Sequence, residues 1–452
     1  MAWWVRVAVV TGCVLACLLG ASRPAYAFPW MIREGYTGCN TCHADPSGAG
    51  ILTQYGRGME EVVLRMPYKK DADPGKVGNF LFGAVNLPDQ LLLQTDLRNL
   101  VLAVIPQGGS AVQASDYVMQ VDQSAQLKIG RFRVNGSIGY SPPAGGYSGT
   151  SIYGGALSAS LTSQPSSWGS IVARQYWLGF DLGKDEEFLL RVGRMNVPFG
   201  IRTVEHPFLV RSVTRTDTNA SQEHGVTLAY SGEKLRGEVM AILGNYAIHG
   251  SGAPGCGFSC WDAPHERGGS AFAEYLPSNH VAIGASALIT YADLARTDLD
   301  PSLNASPIWR HAYGIHARVS PVKPVVVLAE VDALLNSQPF APNASGVSTG
   351  ENHFGMVGLL QADVQVYQGI HILAAGELFD GHIHENGSEC GLTAGSCGLY
   401  DTTTATAWIG AWWFFAPHLD ARIDAVYVSG DAPGATSTRP GTSLTIQLHG
   451  YL

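Results

Sequence analysis

Leu419-Asp420-Ala421-Arg422-Ile423-Asp424-Ala425-Val426-Tyr427 is written in period two. Leu419, Ala421, Ile423, Ala425 and Tyr427 make one apolar row, and the charged Asp420, Arg422 and Asp424 stand between them. Successive side chains of an extended chain point to opposite faces, so one face suits lipid and the other a wet lumen. The same texture recurs where Val327, Ala329 and Val331 alternate with Leu328, Glu330 and Asp332. It recurs again where Val134, Gly136 and Ile138 alternate with Arg133, Asn135 and Ser137. Leu444, Ile446, Leu448, Gly450 and Leu452 read as a final strand.

Such segments begin near residue 77 and are joined alternately by short and long connections. Short ones are expected at Gln123–Gln126, Gly183–Glu186, Ser231–Lys234, Pro277–His280, Ser320–Pro324, Tyr367–Gln368 and Ala416–His418. Long ones are expected near 105–115, 141–168, 196–223, 247–268, 294–308, 336–351, 381–402 and 430–442. Seven short and eight long connections join 16 strands. An even count with short turns at one end and long loops at the other is the pattern of an outer-membrane barrel, and closure removes unpaired edges. The expected fold is therefore all-β, a 16-stranded antiparallel transmembrane β-barrel of porin type. Trp408, Trp412, Trp413, Phe414 and Phe415 are expected at the membrane interface as part of an aromatic girdle.

Composition agrees with a membrane-embedded β protein. Of 452 residues 46% are hydrophobic, only 14% are charged, and glycine numbers 54. No basic block is present, which argues against a nucleic-acid partner. No stretch past the N-terminus is long and apolar enough for a membrane helix, and strands of about 9–11 residues do not require one. Residues 1–27 read as a secretory signal: Arg6 gives the positive charge, Val7–Leu19 the apolar run, and Ala25-Tyr26-Ala27 the cleavage site. The formal charge of −9 would become −11 on losing Arg6 and Arg23. Outside the leader and one further pair described below, cysteine occurs as Cys256/Cys260 and Cys390/Cys397. In an exported chain these suit local disulfides.

Residues 28–75 form a separate unit before the barrel segment 76–452. Its centre is Cys39-Asn40-Thr41-Cys42-His43. C-x-x-C-H is the spacing at which one short turn presents two thiols to a haem edge and an imidazole to its iron. A zinc site would need four ligands, and no second Cys/His pair lies near. One covalent haem c on Cys39 and Cys42, with His43 as proximal ligand, is the expected cofactor. No other histidine occurs before His206, so the local candidates for the distal position are Met31, Met59 and Met66. Met59 is preferred to Met66, and a lumen histidine such as His316 or an open site is an alternative. A thioether ligand would raise the potential. Ile51, Tyr55, Met59, Val62, Val63 and Met66 fall at helical spacing, with Gln54, Arg57, Glu60, Glu61 and Arg65 on the other side. Gly56 and Gly58 weaken this helix by about 1 kcal/mol each. Pro67 ends it, and Asp71–Gly75 is a linker.

Asp380-Gly381-His382-Ile383-His384-Glu385 clusters imidazole and carboxylate, which reads more readily as a solvated loop tip than as a metal site. No G-x-x-x-x-G-K-[ST] loop or G-x-S-x-G elbow occurs, so hydrolytic chemistry has no support.

Gly35-Tyr36-Thr37-Gly38-Cys39-Asn40-Thr41-Cys42-His43, followed by Leu52-Thr53-Gln54-Tyr55-Gly56-Arg57, resembles the haem segment of the fused outer-membrane cytochrome–porins of iron-oxidising bacteria. That resemblance covers roughly 28–66, and over the barrel it is architectural. Separately, Arg191-Val192-Gly193-Arg194 and Pro198-Phe199-Gly200 resemble a segment of phosphate-selective-type porins. Leu452 departs from the usual terminal Phe. The family resemblance implies an oxidoreductase-type role: electrons from extracellular Fe(II) enter at one c-type haem and leave to a periplasmic c-type cytochrome. The barrel residues hold no second C-x-x-C-H, and an apolar band of about 25 Å is long for a single tunnelling step. The haem unit is therefore expected in the lumen or at its periplasmic mouth, near polar residues such as Asp96, Arg98, Arg131, Arg133, Glu330 and Asp332. The alternatives are a diffusion porin whose haem unit is a plug or sensor, and an outward-directed conduit.

Overall fold

The computed structural model describes residues 28–48, 50–67, 80–85, 87–106, 112–140, 171–203, 208–214, 216, 222–244, 266–292, 308–339, 350–384, 399–429 and 441–451. One antiparallel sheet runs from β1 (Leu91–Pro106) to β17 (Gly441–Tyr451). β4 (Ile171–Val172) and β5 (Tyr176–Leu182) both pair with β3 (Phe132–Tyr140), so they are two pieces of one barrel strand. The 17 strand segments thus fill 16 positions around the ring. β1 pairs with β17 from Asp96↔Tyr451 to Pro106↔Gly441, which closes the barrel.

The alternation is realised as expected on β16 (Leu419–Ser429), where Ile423 and Tyr427 face out and Asp420, Arg422 and Asp424 are buried inside. On β12 (Val325–Pro339), Val331 faces out while Leu328, Glu330 and Asp332 face in. Ile315, Leu360 and Ile409, exposed by 67%, 60% and 59%, belong to an apolar outer belt that suits lipid.

Three expectations about the strands need correction. Gln123–Gln126 is not a turn: it lies inside β2 (Gln113–Ile129), and the turn is at Gly130-Arg131. The polar run misleads because Gln123 sits on the outer face near the barrel end, where Thr95 and the Gln94 carbonyl satisfy it. The first strand begins at Leu91 rather than near 77, after a short 3-10 turn at Phe80–Gly83. The aromatic run of β15 (Leu399–Ala416) is not a girdle as a whole. Trp413 faces out, but Trp408, Trp412 and Phe414 point inward and are buried.

Those inward aromatics belong to two apolar clusters inside the barrel. One gathers around Val197, Phe199, Phe208, Leu209 and Val210, from the long connection after β6 (Phe188–Asn196). This segment folds back into the lumen instead of standing over it, and carries a helical turn at Leu209–Thr214. Arg211 pairs with Glu330, and Val210 N–H donates to Glu377 at 2.8 Å. Gly200 has φ +58, and a Cβ there would meet Glu330 and the Arg211 guanidinium, so the turn and the close approach both require glycine. The lumen is thus apolar in part, and the expectation of a wholly wet one is corrected.

Candidate functional site: the N-terminal unit and its cavity

The second apolar cluster joins Trp30, Met31, Ile32, Cys42 and Leu64 of the N-terminal unit to inward residues such as Leu328, Leu373, Trp412 and Phe414. The unit therefore sits inside the barrel. Its polar ties identify the end. Ile32 O accepts from His280, Arg33 donates to the Pro324 carbonyl at 3.3 Å, and Glu60 accepts from His418 N–H at 3.0 Å. Gln368 donates to the carbonyls of Val62 and Arg65. His280, Pro324, Gln368 and His418 lie at short turns, so the unit plugs the short-turn mouth.

Local chemistry shapes the motif. Pro29–Glu34 is a 3-10 helix, ended by Gly35 in the left-handed region. Cys39–Thr41 is one 3-10 turn, in which Cys42 N–H and His43 N–H both donate to the Cys39 carbonyl, at 3.2 and 2.9 Å. The chain then turns at Asp45-Pro46-Ser47-Gly48, where Asp45 Oδ1 accepts from Ser47 N–H at 2.7 Å. It returns so that His43 and Leu52 form an antiparallel bridge. Thr53 caps the following helix by accepting from Gly56 N–H at 3.0 Å.

That helix is an α-turn, Gln54–Met59, continued by a π-helical turn, Glu60–Leu64. Its burial departs from a simple amphipathic reading. Arg57, Glu60 and Arg65 are buried, while Tyr55 and Val62 are exposed. The helix sets its buried charges against carbonyls and a histidine turn of the barrel wall, and Leu64, Met59 and Val63 against the apolar cluster. Gly56 has a reason to be there: a Cβ would lie 2.3 Å from the Cys42 carbonyl oxygen. Nothing in the structure explains Gly58.

Beside the motif lies an open cavity. His43 and Cys42 line it, with Met31, Leu52, Met59 and Trp412. Arg98, Arg202 and Arg422 line the same walls with Glu60, Asp96 and Asp424, and Arg98 and Arg422 are paired with Asp96 at 3.2 Å and Asp424 at 2.8 Å. His43 Nδ1 donates to the Gly50 carbonyl at 3.2 Å, which leaves Nε2 as the basic nitrogen. Desolvation lowers this imidazole to about 4, against the opposing pull of the Gly50 hydrogen bond and Asp45, so it is neutral. A neutral, oriented imidazole, a buried thiol, apolar walls and nearby guanidiniums fit a covalently held haem. One feature departs from that fit. Cys39 is buried outside the cavity, its Sγ accepting from Arg236 at 3.4 Å. Bonding of both thiols to one group requires Cys39 Sγ to leave Arg236.

The methionines divide. Met59 lines the cavity, with its thioether facing Tyr36 Oη at 3.8 Å. Met66 lies away from it, its Sδ 2.8 Å from Trp413 Nε1. Asp96 and Arg98 line the cavity as expected of lumen polar residues. Arg133 instead pairs with Asp181, Glu330 with the inward loop, and Arg131 lies in an exposed turn. Asp332 is buried beside Glu330 on the same wall. His316 is engaged elsewhere, with Glu274 at 3.1 Å. Asp380 accepts from Thr403 at 2.9 Å, while the side chains of His382 and His384, and Glu385, lie outside the described residues. So do the leader, the linker, and Cys256, Cys260, Cys390 and Cys397. Sequence reasoning did not connect Arg422, Asp424 or His449 to this cavity, although their inward direction was readable from the strand period.

No family model matches the chain, and no curated protein does. Solved structures do. Outer-membrane expressed OmpT of Vibrio cholerae aligns with a TM-score of 0.51 and 8% identity, over 81% of this chain and 100% of that one. The outer membrane channel DcaP of Acinetobacter baumannii aligns with a TM-score of 0.51 and 12% identity, over 80% and 97%. An anion-selective porin from Comamonas acidovorans aligns with a TM-score of 0.50 and 8% identity, over 80% and 99%. The likeness is one of fold. This chain is a closed porin-like β-barrel with a small helical N-terminal unit.

Proposed function

We propose that the chain is an outer-membrane electron conduit with one c-type haem in the cavity beside Cys42 and His43. The donor would be extracellular Fe(II), the acceptor a periplasmic c-type cytochrome, and the surrounding medium outer-membrane lipid. The observation that carries the reading is that the C-x-x-C-H turn opens onto a cavity with apolar walls and a ring of paired charges inside a lipid-facing barrel. Cys39 and Cys42 would hold the group covalently, and His43 Nε2 would bind its iron. Bound there, it would supply a reversible one-electron couple. Arg98 and Arg422, each paired with an aspartate of its own strand, would be the guanidiniums within the cavity for carboxylate side groups to meet. The barrel excludes lipid, and the position at the short-turn mouth brings the cavity toward the side from which a periplasmic partner would dock.

The fold likeness to channels and porins favours a second reading, a diffusion porin with the N-terminal unit as plug or sensor. Against it stand the two apolar clusters inside the barrel. The test is expression in a host with c-type cytochrome maturation, then reconstitution in liposomes around an internal electron acceptor. External Fe²⁺ should reduce the acceptor with wild type and not with Cys42→Ala. Equal rates would sink the conduit. A haem-loaded protein that passes ions freely and is not reduced by Fe²⁺ would establish the porin instead.

A further inference from the structure

Asp332 stands on β12 and is fully buried, and neither of its carboxylate oxygens has a hydrogen-bond partner among the described residues. The wall makes room for it. Gly314 is opposite it on β11 (Ile308–Val322), and a Cβ there would lie 2.1 Å from Asp332 Oδ1. The carboxyl group fills the space that this glycine leaves.

Its neighbours by register are apolar. Leu334 is the next inward residue of β12, and Val357 is opposite on β13 (Gly350–Tyr367). Both belong to the apolar cluster around the inward loop, as do Ala312 of β11 and Leu359 of β13. On β10 (Val281–Ala292) the inward polar group is Ser286, whose Oγ accepts from Gly200 N–H at 3.1 Å.

The charged groups that face this part of the wall are already engaged. Glu330, the preceding inward residue of β12, pairs with Arg211 of the inward loop. Arg202 of that loop pairs with Glu238 at 2.7 Å. His316, opposite Glu330 on β11, has Nε2 3.1 Å from Glu274. Glu377 of β14 (Ile370–His384) accepts from Val210 N–H and from Thr406. Arg211 is thus one cation beside two carboxylates, and it is committed to Glu330.

A buried carboxylate with neither a charge partner nor a hydrogen bond is too costly to stay ionised. A metal ion would neutralise it, but hard cations take six or more oxygens, and the apolar wall does not supply them. Two carboxyl groups side by side can instead hold one proton between them.

We propose that the Asp332/Glu330 pair is a proton-binding site, in which Asp332 stands as a neutral carboxylic acid beside an ionised Glu330. The consequence falls on the inward loop, because Glu330 holds it through Ile201 N–H at 2.9 Å and through Arg211. Loss of the proton leaves two buried negative charges against one guanidinium, and the excess charge draws water between loop and wall. The site does not depend on a bound haem.

The test uses the full chain folded in detergent, with Asp332→Asn as an uncharged isostere. The infrared difference spectrum at neutral pH should contain a carboxylic-acid C=O band of wild type that shifts in D₂O and that the variant lacks. In planar bilayers, wild-type conductance should rise reversibly as pH is raised into the alkaline range. Asp332→Asn should stay at its neutral-pH level throughout. Absence of the band overturns the proposal, as does an equal pH response in the variant. An Asp332→Asn that fails to fold overturns it too, since the isostere should be tolerated wherever a neutral acid stands. A response that follows the metal salt of the bath at constant pH would show a bound metal ion instead of a proton, and the proposal would fall.

Discussion

Arg191 Nη1 lies 2.6 Å from Asp45 Oδ2, and both side chains are fully inside the molecule. Arg191 stands on β6 of the barrel, and Asp45 is the second residue after the C-x-x-C-H histidine. The same guanidinium also bonds Glu238 and donates to Thr227 Oγ1 at 3.1 Å. The barrel wall thereby holds the turn that carries the motif.

Removing Arg191 leaves two buried carboxylates without their shared partner, which costs about 3–5 kcal/mol. Arg191→Ala should therefore unseat the N-terminal unit before it unfolds the barrel. Limited proteolysis in detergent should cut within 28–67 of the variant while the barrel keeps its heat-modifiable mobility. Equal protease resistance in variant and wild type would show that the pair does not hold the unit. Asp45→Asn, which keeps a hydrogen-bonding oxygen, should be milder.

Gly56→Ala should damage the motif more than its cost to a helix suggests. Alanine is the better helix former by about 1 kcal/mol. Its Cβ, however, would stand 2.3 Å from the Cys42 carbonyl oxygen, so the helix must move off the turn. The expected result is loss of covalent haem incorporation with retained barrel folding. Gly58→Ala serves as the control, because a Cβ there meets nothing within 4 Å.

The inward loop should be releasable. Glu330 accepts from Ile201 N–H at 2.9 Å as well as pairing with Arg211. Arg211→Ala removes the cation from a buried pair, at about 3–5 kcal/mol, and frees the helical turn Leu209–Thr214. Single-channel recordings in planar bilayers should show a higher and noisier conductance than wild type. An unchanged current would mean that the apolar cluster and the backbone bonds to Glu330 and Glu377 hold the loop without Arg211.

Ile315 tests the membrane assignment. It is 67% exposed and near the middle of the strand Ile308–Val322. Arginine on the lipid face near mid-bilayer costs about 2–4 kcal/mol. Denaturant unfolding from lipid vesicles should show that loss for Ile315→Arg. The same protein in detergent should be affected less, because the charge is then nearer water.

Barrel class was legible because lipid and lumen impose a local rule, one residue out and the next in. Ile423 and Asp424 obey it without reference to anything distant. Where two polar residues answer each other across strands, as Thr95 and Gln123 do, the rule reads as a break and the turn is misplaced. The C-x-x-C-H motif was equally legible, since its spacing lies within one turn of chain.

The filling of the lumen was a different matter. Trp412 is an outward girdle residue by composition and an inward one by register, and only the pairing of Trp412 with Arg422 settles the face. Arg57 and Glu60 look like solvent-facing helix residues until the wall opposite them is known to offer the Leu93 carbonyl and His418. Asp45 meets Arg191, and the cavity of His43 meets His449, across sequence separations that no period encodes. Periodicity reports what each residue's immediate surroundings demand, and so it reaches the barrel and the motif. Which distant side chains share a cavity depends on strand register and closure, properties of the whole ring, and these exist only once the chain is folded.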